Sequence, residues 1–333
     1  MLIIVRNRKI VFKKPISTAH IGKSTVIPAI DRASNAAVTA IASRDDKAIK
    51  VAEKLNIPKA YTSYETLLED AVYIPLPNHL HKEWGVKAAR KGKHVLWEKP
   101  AALNAQEVED MIAVCKLENV KFMETFMYQF HQQHAVVREL IAAGGIGQVK
   151  LMRASFSFFL EKSNSTNIRL NNKMGGGSIY DVGSYCIHSI RSILQAEPLC
   201  VHVHAHVDPA YNVDTSAVGY LQFENGVNAM FDCSFDMAFR HKYELIGTKG
   251  KIIVPRAFRP DVNSGVGQVL LQQGNEVRML EVITDQYRAQ IEHISQAIID
   301  DSQPSYSGED TYKNMKVLDA CYKSLACQSN VAI

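Results

Sequence analysis

The fold is decided by residues 71–100, which read AVYIPLPNHLHKEWGVKAARKGKHVLWEKP. Two apolar runs in this stretch, Ala71–Leu76 and His94–Trp97, have the length and composition of buried strands. The segment between them, Leu80–Arg90, has the spacing of an amphipathic helix. Two strands joined by such a helix predict a parallel βαβ unit, because parallel strands need a long crossover connection.

The same alternation continues through the first third of the chain. Further strands are predicted at Lys9–Ile16, Ala37–Ala42 and Lys121–Thr125, and further helices at Thr25–Arg32, Asp45–Leu55 and Ala105–Glu118. Asn104 is expected to cap the last of these helices, with Glu107 as its capping-box partner. Residues 1–125 are therefore predicted to form an α/β domain with a doubly wound parallel sheet covered on both faces.

The first predicted strand contains a conflict. Lys13-Lys14-Pro15 falls where a buried parallel strand should be apolar and should donate ladder hydrogen bonds. Three explanations stay open: the strand lies earlier, at Leu2–Val5; it is distorted; or the sequence is altered at this point.

After about Thr125 the predicted elements no longer alternate between strand and helix. Consecutive strands are separated by turns such as Glu224-Asn225-Gly226, which is typical of an antiparallel sheet. Strands are predicted at Gln148–Leu160, Cys200–Val207, Thr215–Phe223, Val227–Phe235, Tyr243–Ile246, Lys251–Val254, Val269–Leu271 and Val277–Ile283, and helices at His131–Ala143, Ile179–Leu194, Gln286–Ile299 and Asp310–Leu325. Residues 126–333 are therefore predicted to form an α+β domain with an open, mainly antiparallel sheet.

The composition excludes several classes of protein. The 333 residues are 47% hydrophobic and 22% charged, with a net charge of +4 and no basic block, so neither nucleic acid nor a membrane surface is an expected partner. No apolar run reaches the roughly 18 residues of a membrane span, and the start is too charged for a signal peptide. Six cysteines without a CxxC pair favour reduced thiols, so we expect a soluble cytoplasmic protein.

Small residues follow the first predicted strand, where a dinucleotide-binding turn needs them. Residues 17–22, STAHIG, are a relaxed form of GxGxxG, in which close backbone approach and a helix N-terminus bind a pyrophosphate. Alone this pattern is weak, since strand–helix turns generally favour small residues. The candidate contacts to the cofactor here are Ser17, Ala19, His20 and Ile21.

The end of the next strand indicates which cofactor is bound. Ser43, which lies 21 residues beyond Gly22, and Arg44 stand where an acidic residue would bind the ribose 2′-hydroxyl of NAD. A hydroxyl and a guanidinium suit a 2′-phosphate instead. NADP(H) is therefore the predicted cofactor, with NAD(H) as the alternative. The other interpretation is that Arg44 is only a solvated residue at a helix start.

Polar residues also follow the two strands of the opening stretch. Glu98-Lys99-Pro100 comes after His94–Trp97, and Pro77-Asn78-His79-Leu80-His81 comes after Ala71–Leu76. Ligands of doubly wound sheets bind at the carboxyl ends of strands, so Lys99 is expected at a crevice. The alternative is a surface lysine paired with Glu98.

A glycine-rich turn at residues 175–177 leads into a predicted helix that carries Asp181, Tyr185 and His188. Their spacing of four and three residues puts them on one helical face. Three proton-capable groups on one face fit an active-site wall better than a packing face. The alternatives are that Tyr185 is a core aromatic residue and that His188 is structural.

His202, His204 and His206 alternate along one predicted strand, in the manner of a metal-binding edge. Since no cysteine or carboxylate evidently converges with them, no metal is predicted. A polar sheet face or a subunit contact is the preferred interpretation.

These motifs together resemble the Gfo/Idh/MocA oxidoreductase family over nearly the whole chain. The motifs that carry the resemblance are residues 19–22, 77–81, 98–100 and 176–185. The chain looks most like the branch that holds glucose–fructose oxidoreductase, NADP-dependent xylose dehydrogenase and dimeric dihydrodiol dehydrogenase, because Tyr185 stands where the inositol dehydrogenase branch has His. The resemblance implies a Rossmann domain, an open sheet domain used for oligomerisation, and no metal. The loop before Ala71 is shorter than is usual in the family.

The resemblance also implies residue roles. Lys99 would orient the substrate hydroxyl or carbonyl and assist proton movement, Tyr185 would be the acid/base, and Asp181 would hold Lys99 or a substrate hydroxyl. Arg169 would reach the substrate as well. Cofactor contacts are implied at Leu76, Pro77, Asn78, His81, Glu98 and Lys99, with Asn78 at the nicotinamide ribose.

The sequence thus predicts an NADP(H)-dependent oxidoreductase that transfers a hydride between nicotinamide and a hydroxyl or carbonyl carbon of a sugar, polyol or cyclic diol. A homo-oligomer formed through the C-terminal sheet is expected. The alternative is a non-catalytic NADP(H)-binding sensor or regulatory protein on the same fold. Lys99, Asp181 and Tyr185 together favour the enzyme, because a sensor needs no proton relay.

Overall fold

The chain forms two compact units in the computed structural model, which describes residues 5–6, 9–10, 19–67, 72–161 and 167–333. The first unit comprises Met1–Met127 and Tyr287–Tyr312, and the second comprises Tyr128–Gln286 and Lys313–Ile333. Over these described residues, we find no helix with both the length and the apolar character needed to span a bilayer.

The first unit is built on parallel strands, as predicted. Strands β3 (Ala40–Ala42) and β4 (Lys59–Tyr61) pair in parallel, and so do β5 (Val72–Ile74), β6 (Val95–Trp97) and β7 (Phe122–Glu124) in the order β5-β6-β7. Within Met1–Met127, the helices of this unit are α1 (Ile27–Arg32), α2 (Lys47–Lys54), α3 (Tyr64–Leu67), α4 (His81–Arg90) and α5 (Ala105–Leu117). The strand β4 and the short helix α3 were not predicted, because neither has a long apolar or amphipathic pattern.

Only part of the first predicted strand is described. Val5–Arg6 (β1) and Lys9–Ile10 (β2) pair antiparallel, as a hairpin rather than as part of a parallel sheet. Lys13-Lys14-Pro15, the cofactor candidate Ser17 and the shortened loop before Ala71 lie outside the described residues.

Helix α4 packs against β6 through Gly85. A Cβ built on Gly85 would lie 2.2 Å from Nε1 of Trp97, so only glycine fits there. Helix α5 begins as predicted: the Glu107 N–H donates to Asn104 Oδ1 at 2.9 Å, and the Glu107 carboxylate accepts from the Leu103 N–H at 3.0 Å. These contacts fix the segment of β6 that precedes Lys99.

The second unit contains a nine-stranded sheet in the order β15-β14-β13-β12-β8-β11-β10-β9-β16. Its strands are β8 (Val149–Phe159), β9 (Pro198–Asp208), β10 (Val213–Phe223), β11 (Asn228–Ser234), β12 (Asp236–Gly247), β13 (Lys251–Val254), β14 (Val266–Gln273), β15 (Glu276–Ile283) and β16 (Val331–Ala332). The pairing is antiparallel except between β8 and β11, which run parallel. The predicted open, mainly antiparallel sheet is confirmed.

Helices and helical turns complete the chain. The remaining helices are α6 (Gln133–Ala142), α7 (Ser184–Leu194), α8 (Gln286–Ile299) and α9 (Gly308–Cys327), and π-helical segments span Gly22–Val26 and Ile179–Gly183. Short 3₁₀ turns lie at Asn78–Leu80, Met127–Phe130, Ile168–Leu170, Asn172–Met174 and Pro260–Asn263. The bounds of α8 are those that the sequence predicted.

Tyr287–Tyr312 belongs to the first unit rather than to the sequence that surrounds it. Glu292 accepts a hydrogen bond from the Ser34 N–H at 2.9 Å, and Asp301 pairs with Lys121 at 2.7 Å. The two compact units therefore differ from the predicted domains 1–125 and 126–333, because the first unit includes this later segment. Polar contacts between residues 258 and 180 positions apart hold this segment in place.

Candidate active site

The nucleotide side of the first unit begins at the helix that starts at His20. The Lys23 N–H donates to the Ala19 carbonyl at 3.2 Å, which closes the first turn. A Cβ on Gly22 would lie 3.8 Å from Tyr73 and Pro75, so this helix start lies beside the end of β5. The N–H groups of a helix's first turn lack intrahelical acceptors, and next to a strand end they form a site for a phosphate.

Two candidates for a 2′-phosphate follow β3. Arg44 is exposed, so its guanidinium can be reached from solvent. Ser43 is buried, and its hydroxyl accepts from the Ala48 N–H at 2.9 Å and donates to Asp45. The structure thus places a solvent-accessible cation at this strand end, next to a hydroxyl that is engaged within the protein. Together with the helix start, the exposed cation fits the charge of a dinucleotide that carries an extra phosphate.

His81 joins the ends of β5 and β6. It is fully buried, with Nδ1 at 2.9 Å from the Pro100 carbonyl oxygen and Nε2 at 2.7 Å from that of Leu76. Burial lowers the pKa of His81 to about 4, despite the carbonyls that would favour its charged form. This candidate cofactor residue therefore lies inside the unit, where it holds two loops together.

The charge of Lys99 acts on two buried carboxyl groups of the first unit, Glu98 and Glu124. Glu98 accepts a hydrogen bond from the Tyr73 hydroxyl, and Glu124 accepts one from the Ala101 N–H at 2.8 Å. Burial raises the pKa of both carboxyls, to about 7 for Glu124, and the charge of Lys99 opposes this effect. Among the candidates at this edge, Pro77 and Asn78 are partly exposed and Leu76 is buried.

The second unit brings Arg169 and Asp181 together. The Arg169 Nε–H donates to Asp181 Oδ2 at 2.6 Å, and this carboxylate is the main cause that raises the pKa of Arg169. The glycine turn makes the approach feasible, because a Cβ on Gly176 would lie 2.6 Å from the Arg169 carbonyl oxygen. Sequence reasoning assigned both side chains to substrate, and the structure shows that they form an ion pair.

Asp214 holds the start of the segment that carries Asp181. Its carboxylate accepts from the Ser178 hydroxyl at 2.8 Å, the Ile179 N–H at 2.7 Å and the Tyr322 hydroxyl at 3.0 Å. Burial raises the pKa of Asp214, against the effect of these three donors. Sequence reasoning missed Asp214 and Glu124, although a lone carboxylate at an inward position of an apolar strand is a readable signal.

Tyr185 lies in an aromatic cluster of the second unit, with 6% of its surface exposed. Its ring centroid is 5.3 Å from that of Phe156 and 5.7 Å from that of Phe258. His188 is more deeply buried, where Nδ1 meets the Tyr128 hydroxyl, and burial lowers its pKa well below the usual value. The three residues predicted on one helical face therefore have different surroundings: Asp181 bonds to Arg169, and Tyr185 and His188 are buried.

The alternating histidines of β9 form a close pair. Nε2 of His202 and Nε2 of His204 are 3.0 Å apart. Over the described parts of the chain, no group of three or more His, Cys, Asp or Glu side chains has the geometry of a metal site.

Comparisons with known proteins cover both units. A family model described as an oxidoreductase family with an NAD-binding Rossmann fold matches residues 16–126, and a GFO/IDH/MocA C-terminal domain model matches residues 134–253. The chain is 36% identical over 314 residues to a D-xylose 1-dehydrogenase (NADP(+)) of Haloferax volcanii, covering 93% of this chain and 95% of that protein.

Two further proteins extend the comparison. The chain is 31% identical to a trans-1,2-dihydrobenzene-1,2-diol dehydrogenase of Xenopus tropicalis, with 72% of each chain covered. Among solved structures, a 3-ketoreductase from Actinomadura kijaniata in complex with NADP and TDP-benzene superimposes with a TM-score of 0.89 at 29% identity, covering 94% of this chain and 97% of that one.

Proposed function

Because the chain belongs to the GFO/IDH/MocA oxidoreductase family, we propose that it is an NADP(H)-dependent enzyme that acts on a hydroxyl or carbonyl carbon of a sugar, polyol or cyclic diol. The observation that carries this proposal is the 36% identity over 93% of the chain to an NADP-dependent xylose dehydrogenase. The predicted family and the prediction of an oxidoreductase are confirmed. A non-catalytic sensor has no support, since the similar proteins are named dehydrogenases or reductases.

The cofactor side of the proposal rests on the first unit. The helix start at His20 would bind the pyrophosphate through its N–H groups, and the exposed guanidinium of Arg44 would bind a 2′-phosphate. Asn78, partly exposed after β5, would contact the ribose, and Glu98 would support Lys99 beside the nicotinamide. The nicotinamide supplies or accepts the hydride at its C4 when the cofactor is bound.

The protein supplies proton transfer and orientation. In the oxidation direction, Tyr185 takes the proton of the reacting hydroxyl while the carbon releases its hydride, and in reduction Tyr185 returns that proton to the carbonyl oxygen. Lys99 donates a hydrogen bond to the same oxygen and so stabilises its negative charge. Asp181, held by Arg169, accepts a hydrogen bond from a second substrate hydroxyl.

The cofactor assignment is tested by titrating NADPH and NADH into wild type and Arg44→Ala, with binding followed by fluorescence. A charge-assisted contact to phosphate contributes about 1.5–3 kcal/mol, so the Kd for NADPH should rise by roughly 10–150-fold while the Kd for NADH changes little. Lys54→Ala is the control, because it removes an exposed cation from α2 without changing the end of β3. Equal weakening of both cofactors would refute the role of Arg44.

The catalytic assignment is tested with Lys99→Ala and Tyr185→Phe on a panel of aldoses, polyols and cyclic diols. Loss of one catalytic proton donor or acceptor should lower kcat by about 10²–10⁴-fold, with NADPH binding retained. The reasoning fails if both variants bind cofactor and turn over a substrate as fast as wild type.

Two further proposals concern the setting of the enzyme. We propose a homo-oligomer formed through the sheet of the second unit, supported by exposed apolar residues on the edge strand β15 (Val277, Met279 and Ile283) and on the inner strands β8 and β12 (Phe159 and Phe239). Light scattering of wild type and Met279→Lys measures the molar mass in solution, which a charge at the subunit contact should reduce.

We also propose a cytoplasmic location, supported by six cysteines that are all unbridged.

A further inference from the structure

Glu124, at the end of β7, joins two parts of the first unit that are far apart in sequence. Its carboxyl is 1% exposed. Oε1 accepts a hydrogen bond from the Ala101 N–H at 2.8 Å, and Oε2 accepts one from the Tyr306 hydroxyl at 3.1 Å. The loop after β6 and the segment Tyr287–Tyr312 therefore meet at one carboxyl group.

A carboxyl group is a costly choice for this position. A buried ionised carboxylate loses most of its solvation, and the charge of Lys99 offsets only part of that cost, since burial still raises the pKa of Glu124 to about 7. A neutral side chain could accept the same N–H at less cost. What the position requires is therefore a hydrogen-bond acceptor that reaches the Ala101 N–H, rather than a charge.

This hydrogen bond acts close to Lys99, which lies two residues before Ala101. Pro100 separates the two and leaves the backbone little freedom, so the direction of the Ala101 N–H restricts the direction in which Lys99 leaves β6. The same loop is held from the other side, where His81 meets the Pro100 carbonyl and the Glu98 N–H donates to the Ile74 carbonyl at 3.2 Å. Without Glu124, the Ala101 N–H would lose its hydrogen-bond acceptor.

We propose that Glu124, itself held by Tyr306, is a positioning residue that fixes the loop after β6 and thereby aims the Lys99 ammonium at the reacting oxygen. This inference rests on the proposed function, because that function makes Lys99 catalytic. It also gives Tyr287–Tyr312 a role in catalysis, since this segment supplies the hydroxyl that orients Glu124.

The test compares Glu124→Ala, Glu124→Gln and Tyr306→Phe with a control. Glutamine has the same shape, and its amide oxygen can still accept from the Ala101 N–H while its amide nitrogen donates to the Tyr306 oxygen. Ser295→Ala is the matched control: it removes a buried hydrogen bond within α8 of the same unit, to the Ile291 carbonyl at 2.7 Å, and changes none of the atoms that bond Glu124 to Ala101 and Tyr306.

Two experiments are done on each variant. The first measures kcat and KM with an accepted sugar and the Kd for NADPH. The second measures, by mass spectrometry, the rate at which an amine reagent labels Lys99 in the protein without substrate. Misplacement of a catalytic group by about 1 Å costs roughly 10²-fold, so Glu124→Ala should lower kcat by about 30–100-fold with an unchanged Kd for NADPH, and should alter the labelling rate by at least about 3-fold. The kcat of Glu124→Gln should stay within about 3-fold of the wild-type value, and that of Tyr306→Phe should lie between the values of Glu124→Gln and Glu124→Ala. Ser295→Ala should have the wild-type kcat and labelling rate.

The outcomes separate this inference from the proposed function. If Glu124→Ala leaves both kcat and Lys99 labelling unchanged while Lys99→Ala is inactive, positioning by Glu124 is refuted and the enzyme assignment stands. If Glu124→Gln is as impaired as Glu124→Ala, the carboxylate has a chemical role and positioning is again refuted. If wild type turns over no substrate, the proposed function fails; altered Lys99 labelling in Glu124→Ala would then show only that Glu124 fixes the Lys99 side chain, without a catalytic purpose.

Discussion

Gly85→Ala tests the packing of α4 on β6, because packing and helix propensity predict opposite signs. In an exposed helix, alanine is more stable than glycine by about 1 kcal/mol. Here the added Cβ would lie 2.2 Å from Nε1 of Trp97, whereas ordinary van der Waals contact begins at 3.4 Å. The indole would have to move by 3.4 − 2.2 = 1.2 Å.

Trp97 has no free space for this movement. Its side chain is fully buried, its ring stacks on Phe122 with centroids 4.4 Å apart, and its Nε1–H donates to the His81 carbonyl at 3.3 Å. Overpacking of a core costs about 1–3 kcal/mol, and a displacement of this size belongs at the upper end. After the propensity gain, Gly85→Ala should lower the free energy of unfolding by about 2 kcal/mol.

The assay is urea unfolding followed by tryptophan fluorescence. The only tryptophans, Trp84 and Trp97, both lie in the first unit, so the signal reports that unit. Trp97→Phe removes the clashing atoms, and in that background Gly85→Ala should cost little or should stabilise. An increase in stability on Gly85→Ala in the wild-type background would refute the packing argument.

Three further predictions concern buried ionisable groups. Burial lowers the pKa of His81 to about 4, so its contribution to stability is complete above pH 6.5 and falls by about 3 kcal/mol as the pH drops through 4. In urea unfolding, His81→Gln should therefore lose less of its free energy of unfolding on acidification than wild type does. The exposed control His204→Gln should lose as much as wild type. Burial raises the pKa of Glu124 to about 7, so the pH dependence of its contribution to stability runs the other way. The contribution is complete below pH 4.5 and falls by about 3 kcal/mol as the pH rises through 7. In urea unfolding, Glu124→Gln should not show this fall. Asp214→Ala removes the acceptor of all three hydrogen bonds, so thermal unfolding should show a loss of about 1–3 kcal/mol and steady-state kinetics a lower kcat/KM. Unchanged values for both would contradict the role given to this carboxylate.

Local sequence determined the elements of the fold and the motifs of the site. The apolar runs before Asn78 and Lys99 are β5 and β6, and they pair in parallel as their spacing predicted. Asn104 caps α5 through the Glu107 N–H, because capping depends only on residues three apart. The roles of Lys99, Tyr185 and Asp181 came from motif resemblance and stay predictions.

The tertiary structure decided what these motifs contact. Tyr306 meets Glu124 across 182 positions, and Tyr322 meets Asp214 across 108. His188 shares a predicted helical face with Asp181, yet it bonds to Tyr128 in the core while Asp181 bonds to Arg169. Periodicity reports which residues are buried but not which distant group each buried polar atom meets. Those pairings form only when the whole chain packs, since a buried polar group must find its partner wherever the fold supplies one.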